Sequence, residues 1–125
     1  RIAIMAETTA FELVTPSRVM MARDAGMVVV PGSEGLFGVL PRHAPMISTL
    51  QRGIVEVHEN GQVIGRIMVD GGIADVGEER CTILAERAEM LDAGHRGDME
   101  ARLKEAESTG NETDADFIRA AMDAI

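Results

Sequence analysis

The chain has 125 residues and a formal net charge of −9, with 46% hydrophobic and 26% charged residues, enough apolar material for one folded domain with a short appendage. That charge argues against a nucleic-acid binder, and three Phe with no Trp or Tyr leave almost no base-stacking platform. A single cysteine, Cys81, excludes an intrachain disulfide and fits a reducing, cytosolic-type compartment, and no run reaches the roughly 18 to 20 apolar residues of a membrane-spanning helix.

The first residues, Arg1-Ile-Ala-Ile-Met-Ala, are too short for a signal-peptide core, and Met5 reads as a natural start with Arg1 to Ile4 as an upstream extension. From Phe11 to about Leu84, apolar segments of five to seven residues alternate with turn residues, which is a strand rhythm. Phe11 to Thr15 stops at Pro16-Ser17, Arg18 to Ala22 stops at Arg23-Asp24, and the β-branched run Met27 to Val30 stops at Pro31-Gly32. Asn60-Gly61 between Ile54–His58 and Gln62–Val69 is a strong hairpin signal, because both turn positions need positive φ. Gly71-Gly72 ends that strand, Ile73 to Val76 starts another, and Arg80 to Ala85 alternates once more. Many short strands without intervening helices predict an antiparallel sandwich or barrel.

After Ala85 the composition shifts to Ala, Glu, Asp, Arg and Met, which favours helices. Met99, Leu103 and Ala106 form one helical stripe with Asp98 placed to cap it, and Ser108 to Asn111 break the helix. Thr113-Asp-Ala-Asp116 has the spacing of a capping box before Phe117, Ile118, Ala121, Met122 and Ile125, a one-sided apolar face. Helices this short are marginal alone, so the tail must dock on something.

No reaction is written in the residues. Gly32 to Gly38 lacks the Gly-Lys-Ser/Thr of a phosphate loop and no helix follows it, so it reads as a structural turn or bulge. His43 sits between Pro41 and Pro45 without a visible acid or nucleophile partner. His43, His58 and His95 form no ligand-spaced pair, so neither a metal nor another cofactor is expected, and Cys81 reads as a small buried hydrophobe. A small cupin-like β-barrel enzyme or metal module is the alternative that the short strands and His43 suggest, but it lacks ligand pairs. A free-standing peptide-binding sandwich with the helical tail as a lid has only the marginal tail in its favour.

Val30-Pro-Gly-Ser-Glu-Gly-Leu-Phe-Gly-Val-Leu-Pro-Arg-His-Ala-Pro45, Leu50-Gln-Arg-Gly-Ile-Val, Val69-Asp-Gly-Gly-Ile-Ala-Asp-Val76 and Thr82-Ile-Leu-Ala-Glu-Arg-Ala88, in that order, resemble the epsilon subunit of F-type ATP synthases. The resemblance implies an N-terminal β-sandwich of about ten short strands over residues 7–88 and a C-terminal α-helical hairpin over 89–125. It also implies a noncatalytic rotor subunit of the central stalk, coupling proton translocation through the membrane ring to ATP synthesis. Its partners would be the gamma subunit, the c-ring loops and, through the tail, the catalytic alpha and beta subunits. The site would be the cytoplasmic face of a bacterial inner membrane, since no transit segment precedes Met5. The interface positions that the resemblance assigns are Glu34, Leu36, Arg42 and His43, with Leu36 standing where some relatives carry an acid.

Relatives whose tails inhibit hydrolysis use basic residues on the second helix, whereas Asp114, Asp116 and Asp123 oppose a single Arg119 here, so strong inhibition is not expected. Some relatives bind ATP through an Ile/Leu-Asp-x-x-Arg-Ala segment. In Leu91-Asp-Ala-Gly-His-Arg96 and in Asp98-Met-Glu-Ala-Arg102 the Arg comes one position late, about 100° round a helix, so no ATP site is expected.

Overall fold

Alternating apolar and polar residues bring one side of each segment to a shared core, and the register shows how that core is wrapped. The computed structural model describes residues 7–125; the reading of Met5 and Arg1 to Ile4 lies outside the described residues. The described elements are β1 (Thr9–Val14), β2 (Val19–Ala25), β3 (Met27–Gly32), β4 (Gly35–Val39), β5 (Met46–Thr49), β6 (Gly53–Glu59), β7 (Gln62–Val76) and β8 (Arg80–Met90). A 3-10 turn at Ala93–His95 then leads into α1 (Arg96–Ser108) and α2 (Glu112–Ala124).

Two strands are long enough to serve both layers of a sandwich. All of β6 pairs antiparallel with the first half of β7, β7 pairs with the end of β8 from Ile67↔Met90 to Asp70↔Arg87, and β3 and β4 extend that layer in the order β4-β3-β6-β7-β8. The second half of β7 and the first half of β8 form another layer, in the order β5-β7-β8-β1-β2, in which β1 runs parallel to β8 and every other pair is antiparallel. Eight strands, two of them counted in both layers, make ten strand segments. The sandwich agrees with the expected fold, and its strands are fewer because β7 joins two that the sequence separated at Gly71-Gly72.

The turn from one layer to the other is a change of phase. Ile67 and Val69 are buried before it, Ala74 and Val76 after it, and in β8 the buried residues are Cys81, Ile83 and Ala85 while Ala88 and Met90 pack on the core beyond the turn. A one-residue change of phase flips every later side chain to the other face. Gly71 and Gly72 stand at this change in β7, with φ of +72° and +118°, and the β7–β8 register runs through it without a shift. Phe11, Leu13, Val28, Val30, Val39, Val55 and Val57 complete one continuous core between the layers.

Two local expectations are corrected and one, the turn at Gly32, is met. Residues 86–90 are strand rather than helix, because pairing with β7 outweighs their helix-forming composition. The Gly32 to Gly38 segment is a tight turn that folds β4 back on β3, from Gly32↔Gly35 to Val28↔Val39. The caps also move. Asp92 receives the His95 N–H and opens the 3-10 turn, so α1 begins before Asp98, whose carboxylate instead receives the Arg102 Nε–H at 2.9 Å. Gly110 ends the loop in left-handed geometry, and Asn111 rather than Thr113 accepts the Asp114 N–H at 3.2 Å.

Candidate functional site

The four residues expected at an interface fall at the two ends of β4. Glu34 sits in the β3–β4 turn, which is tied to β5 by the Ser33 N–H donating to the Thr49 carbonyl at 2.9 Å. Leu36 follows on the edge strand and is 70% exposed, an unshielded leucine. Arg42 and His43 lie beyond the far end of β4, where the Arg42 N–H donates to the Glu78 carbonyl at 2.7 Å and fixes the loop on the β7–β8 turn. Arg42 holds φ at +66° and pairs with Glu7 at 3.0 Å, and half-buried His43 donates through Nδ1 to its neighbour Ala44 O at 2.7 Å. The other histidines are occupied locally, His58 with Glu56 at 3.1 Å and His95 with Asp92 at 2.7 Å. The His95 hydrogen bond holds the Asp92 carboxyl below its usual range. Among the described residues no group of three or more His, Cys, Asp or Glu is arranged to hold a metal ion.

The two outer faces of the sandwich are treated differently. On the β4-β3-β6-β7-β8 layer, Ile54 and Met68 are covered by the helical hairpin, where Leu91, Met99, Ile118 and Ala121 form a second apolar cluster. Around that cluster, sandwich and tail exchange polar contacts. Arg102 of α1 donates through both terminal nitrogens to Glu89 of β8 at 2.6 Å each. Arg87 donates to Asp114 at 2.8 Å, Arg52 to Asp116 at 3.1 Å while lying over the Phe117 ring, and Arg66 to the Ala124 carbonyl at 3.1 Å. The hydrogen bonds that Arg102 donates to Glu89 raise its pKa further above its already high value. Beside these pairs an open cleft of about 820 Å³ runs between the β1–β2 turn and the hairpin, lined by Arg18, Arg87 and Arg102 together with Glu86, Glu89, Asp98, Glu105 and Asp114.

On the other layer nothing in the described chain covers the outer face. The register aligns Thr49, Ile73, Leu84, Val14 and Val19 in one row across all five strands. Leu84 is 44% and Val19 54% exposed, and Ile47 in the adjacent row is 71% exposed. Singly exposed apolar side chains are ordinary, whereas an exposed apolar row on one face is a candidate docking surface.

A family model described as ATP synthase, Delta/Epsilon chain, beta-sandwich domain matches residues 8–91. The ATP synthase epsilon chain of Rhodospirillum rubrum is 43% identical, over 97% of this chain and 96% of its own length. The chain belongs to the ATP synthase epsilon-chain family. The epsilon chain of Rhodospirillum centenum is 50% identical over 81% of this chain and 70% of its own length. The fold recurs in solved structures. One, the Euglena gracilis mitochondrial ATP synthase described as OSCP/F1/c-ring, gives a TM-score of 0.63 at 22% identity over 96% of this chain and 78% of the matched one. Another, the Tetrahymena thermophila mitochondrial ATP synthase central stalk and c ring, gives 0.58 at 12% identity over 95% and 99%.

As an epsilon chain this is a noncatalytic subunit of the ATP synthase, so its functional site is a docking surface rather than a reaction centre. Sequence reasoning named Glu34, Leu36, Arg42 and His43, which lie at the two ends of β4, and did not name the apolar row. Val14 and Val19 are far in the chain from Ile73 and Leu84, and the available signal was the outward position of Val14, Ile73 and Leu84 beside Leu13, Ala74 and Ile83, which needs the register to become a row.

Proposed function

We propose that the chain is a rotor element of the central stalk, docked on a gamma-type stalk subunit through its uncovered sandwich face. The two ends of β4, with Glu34 and Leu36 at one and Arg42 and His43 beyond the other, meet the stalk and the polar loops of the membrane c ring, so that ring rotation turns the stalk and drives ATP synthesis. The observation that carries this reading is the apolar row Ile73, Leu84, Val14 and Val19 on the side opposite the hairpin. Placement of the fold in central-stalk and c-ring assemblies supports the choice of partner. Torque transmission calls for a stiff body, and two layers that share β7 and β8 around one close-packed core meet that need.

Residues 7–88 act as the docking body and 89–125 as its tail. Asp114 and Asp116 are engaged with Arg87 and Arg52 of the sandwich, which leaves the tail without a basic surface for acidic segments of catalytic alpha and beta subunits. The tail is therefore not a strong inhibitor of hydrolysis. Bacterial relatives support a place on the cytoplasmic face of an inner membrane, peripheral to it; among the described residues no helix is long and apolar enough to cross a membrane.

The test is recovery of stalk subunits from membrane extract with the full chain as bait. Wild type is expected to bring down gamma with the ring, and Ile47→Asp with Leu84→Asp to lose about tenfold or more of that recovery, since each would bury an unpaired carboxylate. Equal recovery by the variant overturns the docking face. In a reconstituted complex, leaving out the chain is expected to abolish proton pumping while hydrolysis stays nearly unchanged; a large rise in hydrolysis would show that the tail inhibits.

A further inference from the structure

The seat of the hairpin combines apolar burial with charge pairs. Its buried apolar residues are Met99, Ala115, Phe117 and Ala121, with Ile118, Leu91 and Ala106 nearly so, and part of this set packs on half-buried Ile54 and Met68 of the sandwich. Glu89 stands in the same sheet row as Met68, its register partner, and its side chain is 9% exposed. Both of its oxygens are taken by Arg102, the residue that reaches it from α1. Arg102 uses its remaining Nε–H on Asp98, and Arg87 is held by Asp114, which also accepts from the Asn111 amide at 2.7 Å. Of the three arginines lining the cleft, two are thus already satisfied by carboxylates, and the five acids there outnumber the three cations.

We propose that the hairpin is held on the sandwich by an electrostatic latch made of the chain's own side chains, with Arg102 as its pin, Glu89 as its socket and the Arg87–Asp114 and Arg52–Asp116 pairs as outer fastenings, so that the seated state needs no bound anion. Glu89 makes the latch conditional. With Arg102 in place its charge is neutralised by two short hydrogen bonds; with Arg102 withdrawn it becomes an unpaired carboxylate beneath a helix, the costly state for a buried charge. The outer pairs are more exposed and contribute less each, but they face the same way and all are weakened by salt. An anion entering the cleft meets a surplus of carboxylates and finds Arg87 and Arg102 engaged. The latch is a property of the isolated chain and stands apart from the docking reading, because its failure would leave stalk recovery untouched.

Amide hydrogen exchange on the full chain tests it, with α1 and α2 amides compared against those of β3 and β6. In Arg102→Met the helical amides are expected to exchange about tenfold or more faster while the strand amides keep wild-type rates, the pattern of local undocking. The doubly exposed variant Asp114→Asn with Asp116→Asn, which removes no buried partner, is expected to give a smaller acceleration confined to the same helices. Raised salt should act on wild type in the same direction, and magnesium ATP as an anionic probe should leave helical exchange unchanged. Helical rates unaltered in both variants, helices and strands accelerated by one common factor, or a marked slowing of helical exchange by ATP would each overturn the latch.

Discussion

Gly72 is the position where the sandwich tolerates no side chain. A Cβ there would stand 1.9 Å from the Leu84 carbonyl oxygen and 2.9 Å from the Ala85 Cα, both backbone atoms that cannot swing aside, and φ is +118°. Gly35 has a similar φ of +125° but open space around it, so substitution there meets strain alone. Gly72→Ala is expected to cost more than about 2 kcal/mol and Gly35→Ala roughly 1 kcal/mol, read as shifts of the urea midpoint at constant slope. Cys81 gives a second residue-scale prediction. Burial pushes its thiol up from 9.0 to about 12. Below pH 9 both folded and unfolded chains keep the proton and stability is indifferent to it. Between about 9 and 12 the unfolded chain releases a proton that the folded chain keeps, so stability should fall by up to about 1.4 kcal/mol per pH unit, and Cys81→Ser or Cys81→Ala should remove that slope. The thiol should also resist alkylation at pH 8 until the protein is unfolded. The small-hydrophobe reading of Cys81 was open to sequence, since it alternates with Thr82 in a strand. The phase change at Gly72 was not, because a glycine pair signals a break without saying whether the chain turns away or continues across a corner.

At the scale of elements, the two helices differ in how much of themselves the sequence explains. The α2 face of Ala115, Phe117, Ile118 and Ala121 is buried as its periodicity predicts. In α1 Met99 and Ala106 are buried and Leu103 of the expected stripe is half-buried, so the stripe is narrower than that of α2 and is supplemented by the contacts of Arg102. Helix starts were legible only to within a few residues. Asn111, Thr113 and Asp114 are all competent caps by composition, and the left-handed Gly110 decides among them by delivering Asn111 first. Asn111→Ala removes the acceptor for the Asp114 N–H and is expected to cost about 1 kcal/mol. Thermal unfolding should show the loss, and exchange should place it in the first turn of α2. The long strand β8 shows the opposite failure. Its residues 86–90 favour a helix by composition, and only a partner strand at pairing distance makes them extended.

For the whole molecule, one sandwich presents two outer faces with different fates: one is covered by the chain's own hairpin, the other shows an apolar row to whatever lies beside it. The docking variants act on that second face. Because Ile47 and Leu84 are exposed and outside the core, the aspartate substitutions should change the unfolding free energy by no more than about 0.5 kcal/mol while they remove stalk recovery, which separates a lost interface from a lost fold. The sequence by itself determined the class of fold, the order of sandwich then hairpin, the glycine-rich turn, the loop that carries His43 and the family, because strand rhythm, helical period and motif order are properties of neighbouring residues. Only the tertiary structure decided that Arg102 reaches Glu89 across 13 positions and that Val14, Ile73 and Leu84 share one row. Those relations depend on which strand lies beside which and in what register, and pairing over long separations leaves no periodic trace in the chain.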